Sequence, residues 1–233
     1  MAPAMTSALS PLRAVVFDMD GTLVDNMRFH NEAWVSFARK LGLPLTAEDF
    51  QSRYAGKKNE EIIPELLGRP VAPDEVERIA EEKENHYRTL YRPHLQLHRG
   101  AEAFIQRLRD AQRPAAIATA APQGNRELVL DGLGIRPLFA SIVGAEQVTR
   151  GKPAPDIFLA AAKALGVEPT ACLAFEDAVL GVISAREAGM TVVGLTTGAP
   201  EADLRQAGAH WVLPDFTSLP PELEQRLFGA SAR

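Results

Sequence analysis

Six short apolar runs recur along the chain, and they constrain its fold more than any other feature of the sequence. They occupy residues 13–17, 115–119, 141–143, 171–175, 191–195 and 210–213. Most are apolar at every position rather than at alternate positions, which is typical of strands covered on both faces in a parallel sheet. We therefore predict six such β-strands.

Helical patterns alternate with these runs in the second part of the chain. We predict helices over residues 102–111, 126–133, 156–165 and 178–188. The third starts after Pro155 and ends at Gly166, in agreement with the preference for proline at the start of a helix and glycine after its end. Repeated β-α units imply right-handed crossovers, so the expected fold is α/β with a doubly wound parallel sheet.

The stretch from residue 27 to 93 breaks this alternation and contains only helical patterns. Phe29, Ala33, Phe37 and Leu41 recur every four residues, and the TAED sequence at 46–49 resembles a capping box with Asp in the place of Glu. Ligands of open α/β sheets bind beyond the carboxyl ends of the strands. An insert that leaves from the end of the first strand would therefore cover the site as a cap. We predict a core of residues 1–26 and 94–233 and an all-helical cap domain of residues 27–93.

Two carboxylates follow the first predicted strand in the sequence FDMDGTLVD. Asp18 and Asp20 can point to the same side of an extended chain, and Gly21 permits a sharp turn after them. Two close carboxylates repel each other, and a bound cation would remove the conflict. A hard divalent cation with oxygen ligands, Mg²⁺ above all, fits this arrangement.

Later strands end in groups that complement these acids. Glu176 and Asp177 follow the fourth strand, Thr119 ends the second beside the backbone N–H of Ala120, and Lys152 lies in the loop before a helix. Together with a metal ion, these groups suit phosphoryl transfer. One carboxylate can attack phosphorus, and another can act as acid and then as base. A lysine and Mg²⁺ would neutralise charge on the transferred group.

Four motifs resemble those of the haloacid-dehalogenase superfamily, in the same order and at the same strand ends. They are DMDGTLVD from Asp18, Thr119, Lys152 in GKPAPDIF, and FEDAVLGVISAREAGM with Glu176 and Asp177. This resemblance implies a Rossmann-like core and a small helical cap. It also implies residue roles, with Asp18 as the nucleophile and Asp20 as the general acid/base. Phosphate would be bound by Thr119, Ala120 and Lys152, and Mg²⁺ by Asp18, Asp20, Glu176 and Asp177.

The β-phosphoglucomutase-like and phosphatase branch is the most similar part of this superfamily. Asn26, His30 and Lys83 match polar positions that this branch uses around the sugar. Mutases carry an arginine for the distant phosphate where this chain has Asn59. We expect Lys57 and Lys58, just before it, either to contact substrate or to form a solvated turn. The acidic residues Glu81, Glu82 and Glu84 are expected on a solvated helix face.

Three functions remain open from the sequence. The first is a Mg²⁺-dependent phosphatase of small phosphorylated metabolites, most reasonably sugar phosphates, that acts through an aspartyl phosphate. The second is a β-phosphoglucomutase that interconverts β-glucose 1-phosphate and glucose 6-phosphate. The third is a non-catalytic sensor of phosphorylated metabolites on the same fold, which could have lost Asp18 or Asp20; both are present.

Composition gives no support for several other classes of protein, such as nucleic-acid-binding, disulfide-linked and membrane proteins. The net charge of −5 and the absence of a Lys/Arg run give no footprint for nucleic acid. The single cysteine, Cys172, excludes an internal disulfide and a multi-cysteine zinc site, and it is expected in the core. No apolar run has the length of a membrane span, and residues 1–12 lack the pattern of a signal peptide. We expect a cytoplasmic monomer with no membrane partner.

Overall fold

Six parallel strands form the central sheet in a computed structural model that describes residues 10–54 and 57–229. They are β1 (Ala14–Phe17), β2 (Ala115–Thr119), β3 (Ser141–Gly144), β4 (Cys172–Glu176), β5 (Thr191–Leu195) and β6 (Trp211–Leu213). Their order in the sheet is β3-β2-β1-β4-β5-β6, so β1 lies at the centre. The predicted α/β fold with a doubly wound parallel sheet is confirmed, and no predicted strand bound is wrong by more than one residue.

Ten α-helices are described, and the first four form the inserted segment after β1. These four are α1 (Met27–Lys40), α2 (Ala47–Tyr54), α3 (Asn59–Leu67) and α4 (Pro73–Tyr91). The helices that follow are α5 (Ala101–Asp110), α6 (Gln123–Gly132), α7 (Asp156–Leu165), α8 (Val179–Glu187), α9 (Glu201–Ala207) and α10 (Pro221–Phe228).

Both faces of the sheet are covered, as the uninterrupted apolar runs predict. Along β1, Val15 and Phe17 pack with residues of α5, α6 and α10, while Ala14 and Val16 pack with residues of α7, α8 and α9. All four side chains are fully buried. Cys172 is buried in the second of these layers, in agreement with its expected place in the core.

The helices α9 and α10 were not predicted from the sequence. Helix α9 has seven residues and buries only Leu204, so its apolar periodicity is too short to recognise. Helix α10 begins with Pro221 and buries Leu223 and Leu227, four residues apart. That proline and spacing are a start signal for a helix that sequence reasoning could have used.

The cap helices enclose a hydrophobic core of their own. It contains Trp34, Phe37, Phe50 and Ile63, among other residues. Leu41 was expected to belong to the packed stripe, but this expectation is wrong: α1 ends at Lys40, and Leu41 is 48% exposed. The chain turns at the helix end before Leu41 can face the cap core.

The start of helix α2 shows the predicted capping box. Thr46 Oγ1 accepts a hydrogen bond from the N–H of Asp49 at 3.0 Å, and Asp49 Oδ2 accepts one from the N–H of Thr46 at 3.1 Å. Asp therefore performs the role that Glu usually has in this motif.

The inserted helical segment leaves and re-enters the core at one place. Val24 and Leu97 pair as an isolated antiparallel bridge, and the N–H of His98 donates to the carbonyl of Leu23 at 2.8 Å. The two connections therefore lie side by side beyond the end of β1. The division at residues 27–93 stays a prediction.

No helix within the described ranges is both long and apolar enough to cross a membrane. Residues 1–9, which contributed to the expectation that the chain lacks a signal peptide, lie outside the described residues. The cytoplasmic location, the monomeric state and the absence of nucleic-acid binding remain predictions.

Candidate active site

The predicted catalytic groups converge because three neighbouring strands end together. β1 lies between β2 and β4, and Phe17 is in register with Ile117 on one side and Phe175 on the other. The residues that follow these positions therefore emerge at one edge of the sheet. Asp18 follows Phe17, and Thr119 and Glu176 end the neighbouring strands.

Lys152 reaches this edge from the loop before α7. Its ammonium donates to Asp18 Oδ1 at 2.7 Å and also contacts Glu176 Oε1. The residue is buried. Burial alone would lower the pKa of Lys152, but the charges of Asp18 and Glu176 outweigh it and hold the pKa above its ordinary value. The lysine is thus a permanent cation.

The acidic cluster has the composition of a divalent cation site. Oxygens of Asp18, Glu176 and Asp177 all lie within 4.8 Å of one another, and all three residues are buried. Burial raises the pKa of Asp18 well above its ordinary value, and that of Asp177 to about 8, where the charge of Glu176 adds to the effect. One lysine cannot balance three buried carboxylates, whereas a bound divalent cation would.

The surroundings of Asp177 hold its carboxylate in place. Thr22 Oγ1 donates to Asp177 Oδ1 at 3.0 Å. Gly21 and Gly198 flank the other oxygen so closely that a Cβ atom on either would overlap the carboxylate. Gly21 also has a φ of +78°, which favours glycine. These features fit a carboxylate oriented towards a metal ion.

Asp20 is held by residues from the start of the cap. Asn26 Nδ2 donates to Asp20 Oδ1 at 2.6 Å and to the hydroxyl of Tyr87 at 2.7 Å, and Asn26 Oδ1 accepts from the N–H of Gly21 at 2.9 Å. His30 Nε2 lies 3.6 Å from Asp20 Oδ2. Asp20 is not part of the three-carboxylate cluster; its side chain points to His30 and Asn26.

Lys83 is buried on the cap side of the site. Its ammonium lies 3.1 Å from His30 Nδ1 and 3.0 Å from Glu84 Oε1, and it lies above the ring of Trp34 at 4.9 Å from the ring centroid. The predicted cap residues His30 and Lys83 are therefore brought together with Asp20.

Glu84 corrects the expectation of a solvated acidic face. Glu81 and Glu82 have side chains that are 62% and 48% exposed, but Glu84 is only 3% exposed. Its position in α4 turns it towards Lys83 rather than solvent. It accepts hydrogen bonds from Asn59 Nδ2 at 2.9 Å and from Asn125 Nδ2 at 2.7 Å. Asn125 belongs to α6, so this contact joins cap and core.

The two lysines of the α2–α3 connection have different positions. Lys57 lines the site but pairs with Glu65 at 2.8 Å. Lys58 does not line it; its ammonium donates to the backbone carbonyls of Ala145 and Val148 at 3.0 and 3.3 Å. Lys58 thus connects the cap to the core beside the site.

A small cavity of about 80 Å³ lies between the sheet edge and the cap. Predicted residues that line it are Asp18, Asp20, His30, Lys57, Lys83, Thr119, Ala120, Lys152, Glu176 and Asp177. Asn26 lies behind this lining, as a support for Asp20. The wall formed by Trp34, Phe50, Tyr54 and Ile62 was not predicted from the sequence as part of the site. Residues that pack a cap core can also face its cavity, and helical periodicity does not separate the two roles.

The hydroxyl of Thr119 is available for a ligand. Thr119 Oγ1 accepts a hydrogen bond from the N–H of Ala121 at 3.1 Å. This leaves its proton free to be donated into the cavity, next to the ammonium of Lys152. An anion placed here would meet a hydroxyl donor and a cation.

A doubly wound sheet with a buried acidic cluster at its carboxyl edge and a helical cap above it defines a class of hydrolases. The family model of haloacid dehalogenase-like hydrolases matches residues 12–189. The chain belongs to this family and is a phosphoryl-transfer enzyme. The family assignment therefore favours an enzyme over a sensor.

Individual relatives include enzymes that act on phosphate esters. The chain is 33% identical to the fructose-1-phosphate phosphatase YqaB of Escherichia coli, over 77% of this chain and 94% of that protein. It is 29% identical, over 90% of its length, to the chloroplastic 5-amino-6-(5-phospho-D-ribitylamino)uracil phosphatase of Arabidopsis thaliana, and it spans 60% of that protein.

A solved β-phosphoglucomutase from Clostridium difficile has a similar structure. The TM-score is 0.81 at 28% sequence identity, and the match covers 92% of this chain and 96% of the mutase. Phosphatases and mutases thus both occur among the proteins similar to this chain.

Proposed function

We propose that the protein is a Mg²⁺-dependent phosphatase of small sugar phosphates. The observation that carries the proposal is the convergence of Asp18, Asp20, Thr119 and Lys152 on one capped cavity. The similarity to a fructose-1-phosphate phosphatase supports the substrate class.

The chemistry assigned to the residues starts with Asp18 as the nucleophile. Its carboxylate attacks phosphorus, a P–O bond forms, and the bond to the leaving sugar oxygen breaks. Asp20 gives a proton to that oxygen. In the second half-reaction, Asp20 removes a proton from water, which attacks phosphorus and releases Asp18 and inorganic phosphate. His30 and Asn26 hold the Asp20 carboxylate during both steps.

Phosphate oxygens are bound by the hydroxyl of Thr119, the N–H of Ala120 and the ammonium of Lys152. Lys152 stabilises negative charge on the phosphoryl group, and its contact with Asp18 orients the nucleophile. The carboxylates of Asp18 and Asp177, with Glu176 and the backbone carbonyl of Asp20, would hold Mg²⁺. When bound by these residues, Mg²⁺ would neutralise negative charge during phosphoryl transfer.

The mutase is the second candidate function, and the similar fold of a β-phosphoglucomutase supports it. In that case the phosphoryl group on Asp18 is transferred to a sugar hydroxyl instead of water. The two cap lysines that line the cavity do not favour a mutase. Lys57 is paired with Glu65, and Lys83 is paired with Glu84. A bisphosphate would need an unpaired cation for its second phosphate.

A substrate panel tests the proposal. Phosphate release is measured from sugar phosphates, with and without Mg²⁺, and compared with the Asp18→Asn variant. We expect Mg²⁺-dependent release by the parent and none above background by the variant. Equal rates for both proteins would show that Asp18 is not the nucleophile.

A second arm of the panel tests the alternative. β-Glucose 1-phosphate with a trace of β-glucose 1,6-bisphosphate is incubated with the enzyme, and glucose 6-phosphate is measured. Its formation faster than phosphate release would favour the mutase. If no glucose 6-phosphate forms, the mutase is excluded and the phosphatase remains the proposed function.

A further inference from the structure

The charge on the cap side of the cavity depends on Glu84. Of the charged side chains that line the cavity in the described residues, three are cations and five are carboxylates. The cap contributes Lys57, Lys83 and Glu84 to this set. Lys57 is neutralised by Glu65, which lies outside the lining. The net charge that a substrate meets beneath the cap is therefore set by Lys83 and Glu84.

Both carboxylate oxygens of Glu84 accept hydrogen bonds from residues in or beside the cavity. Oε1 accepts from Lys83 at 3.0 Å and from Asn59 at 2.9 Å, and Oε2 accepts from Asn125 at 2.7 Å. Burial would raise the pKa of Glu84, but the charge of Lys83 and the hydrogen bonds from Asn125 and Asn59 outweigh it and lower the pKa to about 2. Glu84 is thus an ionised carboxylate at any pH near neutrality.

Lys83 has little capacity left for a second anion. An ammonium has three N–H donors. One donates to Glu84 and another faces His30 Nδ1 at 3.1 Å. The remaining donor suits a single neutral acceptor such as a sugar hydroxyl, because the charge of the lysine is already balanced.

We propose that Glu84 is a specificity-determining residue that restricts the cavity to phosphate monoesters with an uncharged leaving group. This inference rests on the proposed phosphatase function. A second phosphate beneath the cap would find no uncompensated cation, because Glu84 balances the charge of Lys83. The carboxylate of Glu84 would also repel it. A leaving group with hydroxyls would be accepted by the remaining donor of Lys83.

The contact with Asn125 holds Glu84 against the core as well as against Lys83. Asn125 lies on α6 of the core, where its Oδ1 also accepts from Arg88 Nη1 at 3.1 Å. Glu84 is therefore in its buried position when the cap covers the site.

Matched substrates test the inference. The kcat/KM for phosphate release is measured for fructose 1-phosphate and fructose 1,6-bisphosphate, and for β-glucose 1-phosphate and its 1,6-bisphosphate. The proteins compared are the parent, Glu84→Gln, and Glu82→Gln as a control, because Glu82 lies on the same helix but is 48% exposed and pairs only with Lys40 among the described residues. Glu84→Gln leaves Lys83 as an unbalanced cation, so we expect the preference for the monophosphate to fall on the order of tenfold. Glu82→Gln should leave the preference unchanged.

A double variant separates charge from damage to the fold. Lys83→Gln combined with Glu84→Gln restores electrical balance, and the monophosphate preference should return to within about threefold of the parent, although kcat falls. A structural role of Glu84 would not produce this recovery. If Glu84→Gln does not fold, the parent protein alone still tests the inference. The inference requires the parent to have a higher kcat/KM for the monophosphate than for the bisphosphate of each pair.

Two outcomes would overturn the inference. One is a parent that prefers the bisphosphates, and the other is a Glu84→Gln variant whose preference matches that of Glu82→Gln. If the parent releases phosphate from no monoester of the panel, the proposed function is wrong and this inference falls with it. The two failures are therefore distinguishable.

Discussion

The ammonium of Lys152 donates a 2.7 Å hydrogen bond to Oδ1 of Asp18, which lies 134 positions earlier in the chain. The contact joins the loop before α7 to the end of β1 and holds the attacking carboxylate of the proposed mechanism in one orientation. It also supplies the positive charge nearest to the nucleophile. The consequences of removing it can be measured.

Replacement of Lys152 by Met should reduce kcat about 10²- to 10³-fold, because a buried charged donor to the phosphoryl group is lost. Lys163→Met in α7 is the control, since Lys163 is exposed. Steady-state rates on the best monophosphate check the prediction, with thermal unfolding recorded for both variants. A Lys152→Met enzyme with parental kcat would contradict the assignment.

Replacement of Asp20 by Asn should lower kcat about 10²- to 10⁴-fold, the usual contribution of a general acid/base. The amide can still accept from Asn26, so the loop geometry is maintained. Asp25→Asn is the control, because Asp25 is exposed and lies outside the cavity. If both variants retain the parental rate, Asp20 does not transfer the proton.

Replacement of Gly21 by Ala should weaken the affinity for the divalent cation, because the new Cβ would overlap the carboxylate of Asp177. Gly166→Ala is a matched control: Gly166 also has a positive φ, of +65°, but a Cβ atom there would enter open space, so the two variants share only the backbone strain. A Mg²⁺ titration followed by thermal unfolding measures the affinity. Equal affinity in both variants would separate Asp177 from metal binding.

The pH dependence of stability should report the ionisation of Glu84. Burial alone would raise the pKa of Glu84 from its ordinary 4.5, but the charge of Lys83 and the hydrogen bonds from Asn125 and Asn59 lower it to about 2. Since the folded-state pKa is the lower one, the ionised group stabilises the fold above pH 4.5, and this contribution, about 3 kcal/mol, is lost as the pH falls from 4.5 to 2.

Chemical denaturation at several pH values measures this effect. Glu84→Gln should be less stable than the parent near neutral pH, and the difference should narrow between pH 4.5 and 2. Glu82→Gln should show no such narrowing. A difference for Glu84→Gln that is independent of pH would mean that packing, and not charge, accounts for it.

The core of the site could be predicted from the sequence because its residues are tied to strand ends. Asp18, Thr119 and Glu176 stand directly at or after strands that are apolar throughout, and parallel strands end at a common edge. Once the strands are recognised, the position of these side chains follows from topology. The order of the strands adds that β1, which carries Asp18, lies between the other two.

The cap side of the site could not be predicted in the same way. Glu84 has the same charge as Glu81 and Glu82, and nothing in the local sequence distinguishes the one that is buried. Its environment depends on Asn59 in another cap helix and on Asn125 in the core. Such contacts are set by how α4 packs against α6, which is a property of tertiary structure.

The paired entry and exit of the cap at Val24 and Leu97 gives the molecule a modular design. The two connecting segments are neighbours, so the inserted helices leave and rejoin the sheet at one point. Residues could therefore be inserted or removed between the two connections without moving the strand ends that carry Asp18 and Thr119. Such changes would alter which molecule the cap encloses while the catalytic groups keep their positions.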